Sequence, residues 1–174
     1  MKFTLSVLIL LTSVLPVWAA ESYSIPGQGS YAFDSATLDG NGRYPVEGIL
    51  SQDSSFILGH QGSYTFAKGQ KLTFTYEKVA GKLQGFVTYG VPKKDASYNI
   101  PGQGSFSFAA GEPVTCDYMI EKTGVKCYIT SGALARQYTF TLADGSKYTA
   151  KAGTVVQFTY EKVKGGVKGF PVSQ

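Results

Sequence analysis

Apolar and polar residues alternate along this chain with a period of two. In "KLTFTYEK" (71–78), Leu72, Phe74 and Tyr76 fall on one side, and Thr73, Thr75 and Glu77 on the other. "TVVQFTYEK" repeats the pattern with Val156, Phe158 and Tyr160, and "QYTFTLA" with Tyr138, Phe140 and Leu142. Alternation rich in aromatic and β-branched residues predicts strands with one buried face. Beyond residue 20, no interval free of glycine exceeds twelve residues. Each interior glycine costs a helix about 1 kcal/mol, so long helices have no room. The prediction is an all-β protein of about ten to twelve short antiparallel strands. The expected form is a barrel or sandwich with internal duplication: two pseudo-symmetric halves made of about four hairpin-like units.

The duplication is read from recurring phrases. "SYSIPGQGSY" (22–31) returns as "SYNIPGQGSF" (97–106), an offset of 75. "FTYEKVAGKLQGF" (74–86) returns as "FTYEKVKGGVKGF" (158–170), with 9 of 13 positions identical and an offset of 84. The second half therefore carries nine extra residues, in an interval that contains both cysteines. These offsets predict a β module over 21–92 and a second over 93–174. Ile-Pro-Gly-Gln suits a type II turn, with proline fixing φ at the second position and glycine supplying positive φ at the third. Turn chemistry accounts for the phrase except for Gln28 and Gln103. Gly85 and Gly169, inside strand-like segments, predict bulges or close backbone approach.

The first twenty residues, "MKFTLSVLILLTSVLPVWAA", have the pattern of a secretory signal peptide: Lys2, an apolar run, then small residues at a cleavage site. The expected protein is exported, extracellular or periplasmic, with no membrane span after cleavage. Cleavage removes the only Trp, Trp18, and lowers the formal charge of +4 by the one unit of Lys2. Two arginines, Arg43 and Arg136, and scattered lysines make no nucleic-acid footprint. Cys116 and Cys127, an even pair in an exported chain, predict a disulfide that takes the place of the Phe74–Phe86 and Phe158–Phe170 pairs.

Catalytic motifs are sparse. Glu77 and Glu161 hold matching positions in the two halves, yet each sits on a polar strand face beside a lysine, where solvated charges are ordinary. Asp34, Asp39, Asn41, Glu47 and Asp53 lack the spacing of a calcium loop, and His60 alone cannot complete a zinc site, so neither metal nor cofactor is expected. The tyrosines and phenylalanines exceed what a small core needs, which favours binding by aromatic stacking. The functional expectation is a non-catalytic β-sheet protein that recognises a glycan or protein partner. A secreted hydrolase acting on polysaccharide or cell wall is one alternative, and a structural envelope component another. Binding residues are expected on loops that differ between the halves: Asp39, Asn41, Arg43 and Tyr44, His60 with Gln61, and Arg136.

Overall fold

The computed structural model describes residues 19–121 and 124–172. All of the expected signal peptide except Ala19 and Ala20 lies outside the described residues. In chain order the strands are β1 (Glu21–Ile25), β2 (Gly29–Leu38), β3 (Pro45–Leu50), β4 (Ser54–Ile57), β5 (Ser63–Phe66), β6 (Lys71–Val79), β7 (Lys82–Gly90), β8 (Ala96–Ile100), β9 (Gly104–Phe108), β10 (Val114–Glu121), β11 (Gly124–Ala133), β12 (Tyr138–Thr141), β13 (Lys147–Ala150), β14 (Val155–Val163) and β15 (Gly166–Pro171). The protein is all-β, with fifteen strands among the described residues where the spacing of turns suggested ten to twelve. One 3-10 turn, Gly59–Gln61, connects β4 to β5.

Nine strands form one antiparallel sheet in the order β1-β2-β3-β6-β7-β10-β11-β14-β15. The remaining six make three short hairpins, β4–β5, β8–β9 and β12–β13. The alternation read from the sequence selects the buried face. Leu72, Phe74, Val156, Phe158 and Phe140 are at most 5% exposed, and Tyr76, Tyr138 and Tyr160 pack against the same core.

Phenylalanine packs on glycine three times, from strand β2 and from the short hairpins β4–β5 and β8–β9. A Cβ at Gly48 would come within 2.5 Å of the Phe33 ring, at Gly90 within 2.5 Å of Phe66, and at Gly132 within 2.4 Å of Phe108. Only a residue without a Cβ lets a ring approach a strand so closely, which is why glycine stands inside these strands. Gly85 and Gly169 work the same way: a Cβ there would meet the Cγ2 atoms of Ile25 and Ile100 at 2.6 and 2.7 Å. Their N–H groups donate to Pro26 O and Pro101 O, both at 2.8 Å.

The sheet is open, with β1 and β15 as its edges, and this overturns the barrel. A barrel needs continuous staggered ladders around a ring. Here the long hairpin β6–β7 shares three residue pairs with β3 and two with β10, and β11 shares three with β14. Beyond those bases the hairpins separate and leave grooves between them.

The cysteines correct the second expectation. Cys116 and Cys127 are both free thiols, 5% and 0% exposed, and not at bonding distance. The β10–β11 ladder, running without a shift from Glu121–Gly124 to Cys116–Ile129, sets Cys116 opposite Ile129 and Cys127 opposite Tyr118, so the two lie on a diagonal. Cys116 holds the position that Phe74 and Phe158 hold 42 residues away on either side, whereas Cys127 corresponds to Gly85 and Gly169. The counterpart of Phe86 and Phe170 is Tyr128, so no aromatic pair was replaced. Burial pushes the Cys127 thiol far above its ordinary pKa, with the Cys116 thiol beside it acting in the same direction.

Candidate functional site

The glutamines that turn chemistry left over have a structural task. Gln28 follows a turn in which Gly27 has φ +77° and Gln28 N–H donates to Ile25 O at 2.9 Å. Its side-chain amide then imitates a peptide group of a neighbouring strand. Nε2 donates to Ile57 O at 2.9 Å, and Oε1 accepts from Ile57 N–H at 2.9 Å. A second bond from Nε2 reaches Gly85 O at 3.2 Å. Gln61 makes the same three bonds with Asn99 and Cys127, and Gln103 makes them with Thr141 and Gly169. Each amide clasps its own hairpin to the first strand of the following short hairpin and to the sheet beneath.

Two further contacts recur beside each clasp. Tyr31 stacks on Phe56 at 4.1 Å, Tyr64 on Tyr98 at 4.6 Å and Phe106 on Phe140 at 4.6 Å between ring centroids. Tyr76, Tyr118 and Tyr160 donate their hydroxyls to Pro45 O, Val87 O and Ile129 O at 2.6, 2.7 and 2.6 Å, each bond bridging one long hairpin to the preceding one. Burial raises the pKa of all three, so each stays a neutral donor.

The predicted binding residues divide into three groups. His60 and Gln61 belong to the scaffold. Gln61 is the middle clasp, and His60 Nδ1 accepts the Cys127 N–H at 3.1 Å, with its ring 5.9 Å from that of Tyr128. Burial lowers the His60 pKa, with Lys126 adding to the effect, and so favours the neutral ring that this bond requires. Arg136 stands elsewhere, its Nε donating to Tyr138 Oη at 2.7 Å and its guanidinium carbon 5.0 Å from that ring's centre.

Asp39, Asn41, Arg43 and Tyr44 do come together. They line a groove of about 750 Å³ between the β2–β3 and β6–β7 hairpins, along with Phe74, Thr75, Tyr76, Lys78 and Leu83. Asp39 shapes the loop: Oδ1 accepts from Arg43 N–H at 2.7 Å and Tyr44 N–H at 3.2 Å. The Arg43 N–H is the main reason its carboxyl titrates below the ordinary carboxylate range. With Asp39 so occupied, the groups free to meet a ligand are the exposed Asn41, Arg43 and Lys78. Tyr44 and Tyr76 form its aromatic step, with ring centroids 5.2 Å apart and planes 30° apart. Tyr76 and Lys78 were missed in the loop-based reading because they lie on a repeated strand. Their signal was the alternation itself, which put Tyr76 and Lys78 on one side of β6.

A second groove of about 640 Å³ spans the β6–β7, β10–β11 and β14–β15 hairpins and meets the first at Thr75. Glu77 and Asp117 lie along it with Tyr118, Tyr128 and Tyr160, while Glu161 pairs with Lys168 across β14–β15. Glu47 is salt-bridged to Lys71 at 2.7 Å and Asp53 pairs with Lys93, so these carboxylates already have partners. No group of three or more potential metal ligands occurs among the described residues. No protein-family model, curated protein or solved structure matches this chain.

Proposed function

We propose that this chain is an exported, non-catalytic binding protein that holds a glycan in the groove between the β2–β3 and β6–β7 hairpins. The observation that carries the reading is the meeting of Asn41, Arg43, Tyr44, Tyr76 and Lys78 in that one groove. Sugar rings present apolar C–H faces and polar rims. A tyrosine step stacks on the first, and planar amide and guanidinium donors bind the second. Two cations beside the step favour a sugar that carries a carboxylate.

The scaffold behind the groove is read as the product of internal duplication, with modules 21–92 and 93–174 each holding two units of one short and one long hairpin. The clasps, ring stacks and tyrosine bridges that recur along the chain support this reading. The nine extra residues then fall in the β10–β11 hairpin. Phe108 and Gly132 are 24 positions apart there, against 15 for Phe33 and Gly48 at β2–β3. An exported repeat scaffold offers its loops and grooves to surface ligands without any chemistry of its own.

The test is a glycan array with the mature protein, followed by calorimetric titration of the hits. Arg43→Ala with Tyr44→Ala should weaken binding by about tenfold or more, the loss of a stacked ring and one charged hydrogen bond. Arg136→Ala, outside the groove, should leave it unchanged. An array without carboxylated glycans among its hits, or a double variant that binds as wild type, rejects the reading. Capture of a protein partner that needs the same two residues would reassign the groove to protein recognition.

A further inference from the structure

We propose that the outer side of the β1–β2 hairpin is a docking surface for a β-hairpin of another polypeptide that carries a glutamine at its turn. The last of the three short hairpins, β12–β13, is built so that a second copy cannot supply one. The inference stands independently of the glycan groove, because it comes from an interface that the chain uses three times within itself.

That interface has a giving and a receiving side. The giving side is a turn with a clasp glutamine and an aromatic ring shortly after it. The receiving side is the first strand of the next short hairpin, whose outward N–H and C=O take the clasp and whose ring takes the stack. At β1 the receiving side is complete and unused. Tyr23 and Ser24 lie 33 positions before Phe56 and Ile57, and Ser24 pairs with Ser30 as Ile57 pairs with Ser63. Ser24 therefore directs its N–H and C=O away from β2, as Ile57 does to meet Gln28, and no group among the described residues meets them. The rings tell the same story. Phe56, Tyr98 and Phe140 are covered to 0, 1 and 0% exposure, whereas Tyr23 is only half-buried.

At the other end of the chain the giving side is disabled. Gly145 donates its N–H to Leu142 O at 3.0 Å, as Gln28, Gln61 and Gln103 donate to the residue three before them. It is thus the positional counterpart of the clasp. It has no side chain, and its φ of +85° lies where L-residues are strained, a conformation that none of the three glutamines adopts. Tyr148 keeps the stacking ring, 42 positions after Phe106, with no clasp beside it. A head-to-tail neighbour of this same chain would thus leave the Ser24 backbone groups unmatched. Buried backbone groups without partners are costly, so the arrangement selects against self-assembly and for a partner whose turn resembles Pro26–Gly27–Gln28–Gly29.

The probe is the chain itself with residues 143–146, Ala-Asp-Gly-Ser, exchanged for Pro-Gly-Gln-Gly. This restores the giving side opposite an intact receiving side. In sedimentation analysis the wild-type mature protein should remain monomeric. The exchanged chain should associate at least about tenfold more tightly, and Tyr23→Ser in that chain should return it to monomer. Mixing wild type with the chain that carries both changes should give a one-to-one complex, because each then contributes one half. Three results overturn the proposal: a folded exchanged chain as monomeric as wild type, association that survives Tyr23→Ser, or wild type that associates equally well. If the exchanged chain does not fold, a cyclised peptide of residues 96–108 is titrated onto wild type. Binding that requires its glutamine supports the docking surface, and absence of binding overturns it.

Discussion

Replacing Gln103 tests the idea that glutamine amides hold successive hairpins together. Its side chain donates to Thr141 O at 2.7 Å and Gly169 O at 3.0 Å, and accepts from Thr141 N–H at 3.0 Å. A net contribution of about 1 kcal/mol per bond gives about 3 kcal/mol for the set. Water can reach a part-buried site after truncation and recovers some of this, so Gln103→Ala should cost about 2–3 kcal/mol. For a chain of this size that is a fall of about 5–10 °C in Tm. Gln103→Glu keeps the shape but sets a carboxylate oxygen against two carbonyl oxygens, and at pH 7 it should be worse than alanine. The same repulsion raises the glutamate pKa in the folded state above its unfolded value of about 4.3. The folded variant then binds its proton first, so its stability falls as pH rises from the unfolded pKa through the raised folded one. The gap between wild type and this variant should accordingly narrow on acidification toward pH 4. Urea unfolding followed by circular dichroism, at several pH values, measures both effects. An alanine variant within about 0.5 kcal/mol of wild type, or a glutamate gap that does not change with pH, would refute the clasp.

Three other outcomes follow from the packing. Gly132→Ala forces a Cβ to within 2.4 Å of the Phe108 ring, so it should cost about 1–3 kcal/mol in chemical denaturation, whereas Gly40→Ala, with open space around it, should be nearly neutral. Thiol titration of unreduced protein should find two reactive groups in guanidinium and almost none in the folded state, since both cysteines are buried; a missing thiol in guanidinium would show a disulfide. The single histidine, His60, has a depressed folded pKa, so the unfolded chain binds its proton first. Stability should therefore decline as pH falls through about 6.5 toward the lower folded value, and His60→Ala should flatten the profile in that window.

Period-two alternation determined that this chain forms strands and which side of each is buried. The reason is local: a strand sends successive side chains to opposite faces whatever its neighbours are. Ile25-Pro26-Gly27-Gln28 determined its own turn, because the ring of proline and the missing Cβ of glycine set the dihedrals without outside help. The phrases 75 and 84 residues apart differ in offset by nine, and the interval between them contains both cysteines. Tertiary structure decided everything that depends on lateral contact. The register of β10–β11, unbroken from Glu121–Gly124 to Cys116–Ile129, left the cysteines as a diagonal pair of thiols where their spacing had suggested a disulfide, and strand register is a lateral property that spacing alone does not carry. Closure depended on how far neighbouring hairpins pair, and they part after two or three residues. Gln61, read as a ligand contact, became a clasp because its partners Asn99 and Cys127 lie 38 and 66 positions away. Asp39, Asn41, Arg43 and Tyr44 were legible as one loop, but the β6 wall of their groove was not. Strand β6 alternates like any other strand, and only its pairing with β3 brings Tyr76 and Lys78 beside that loop.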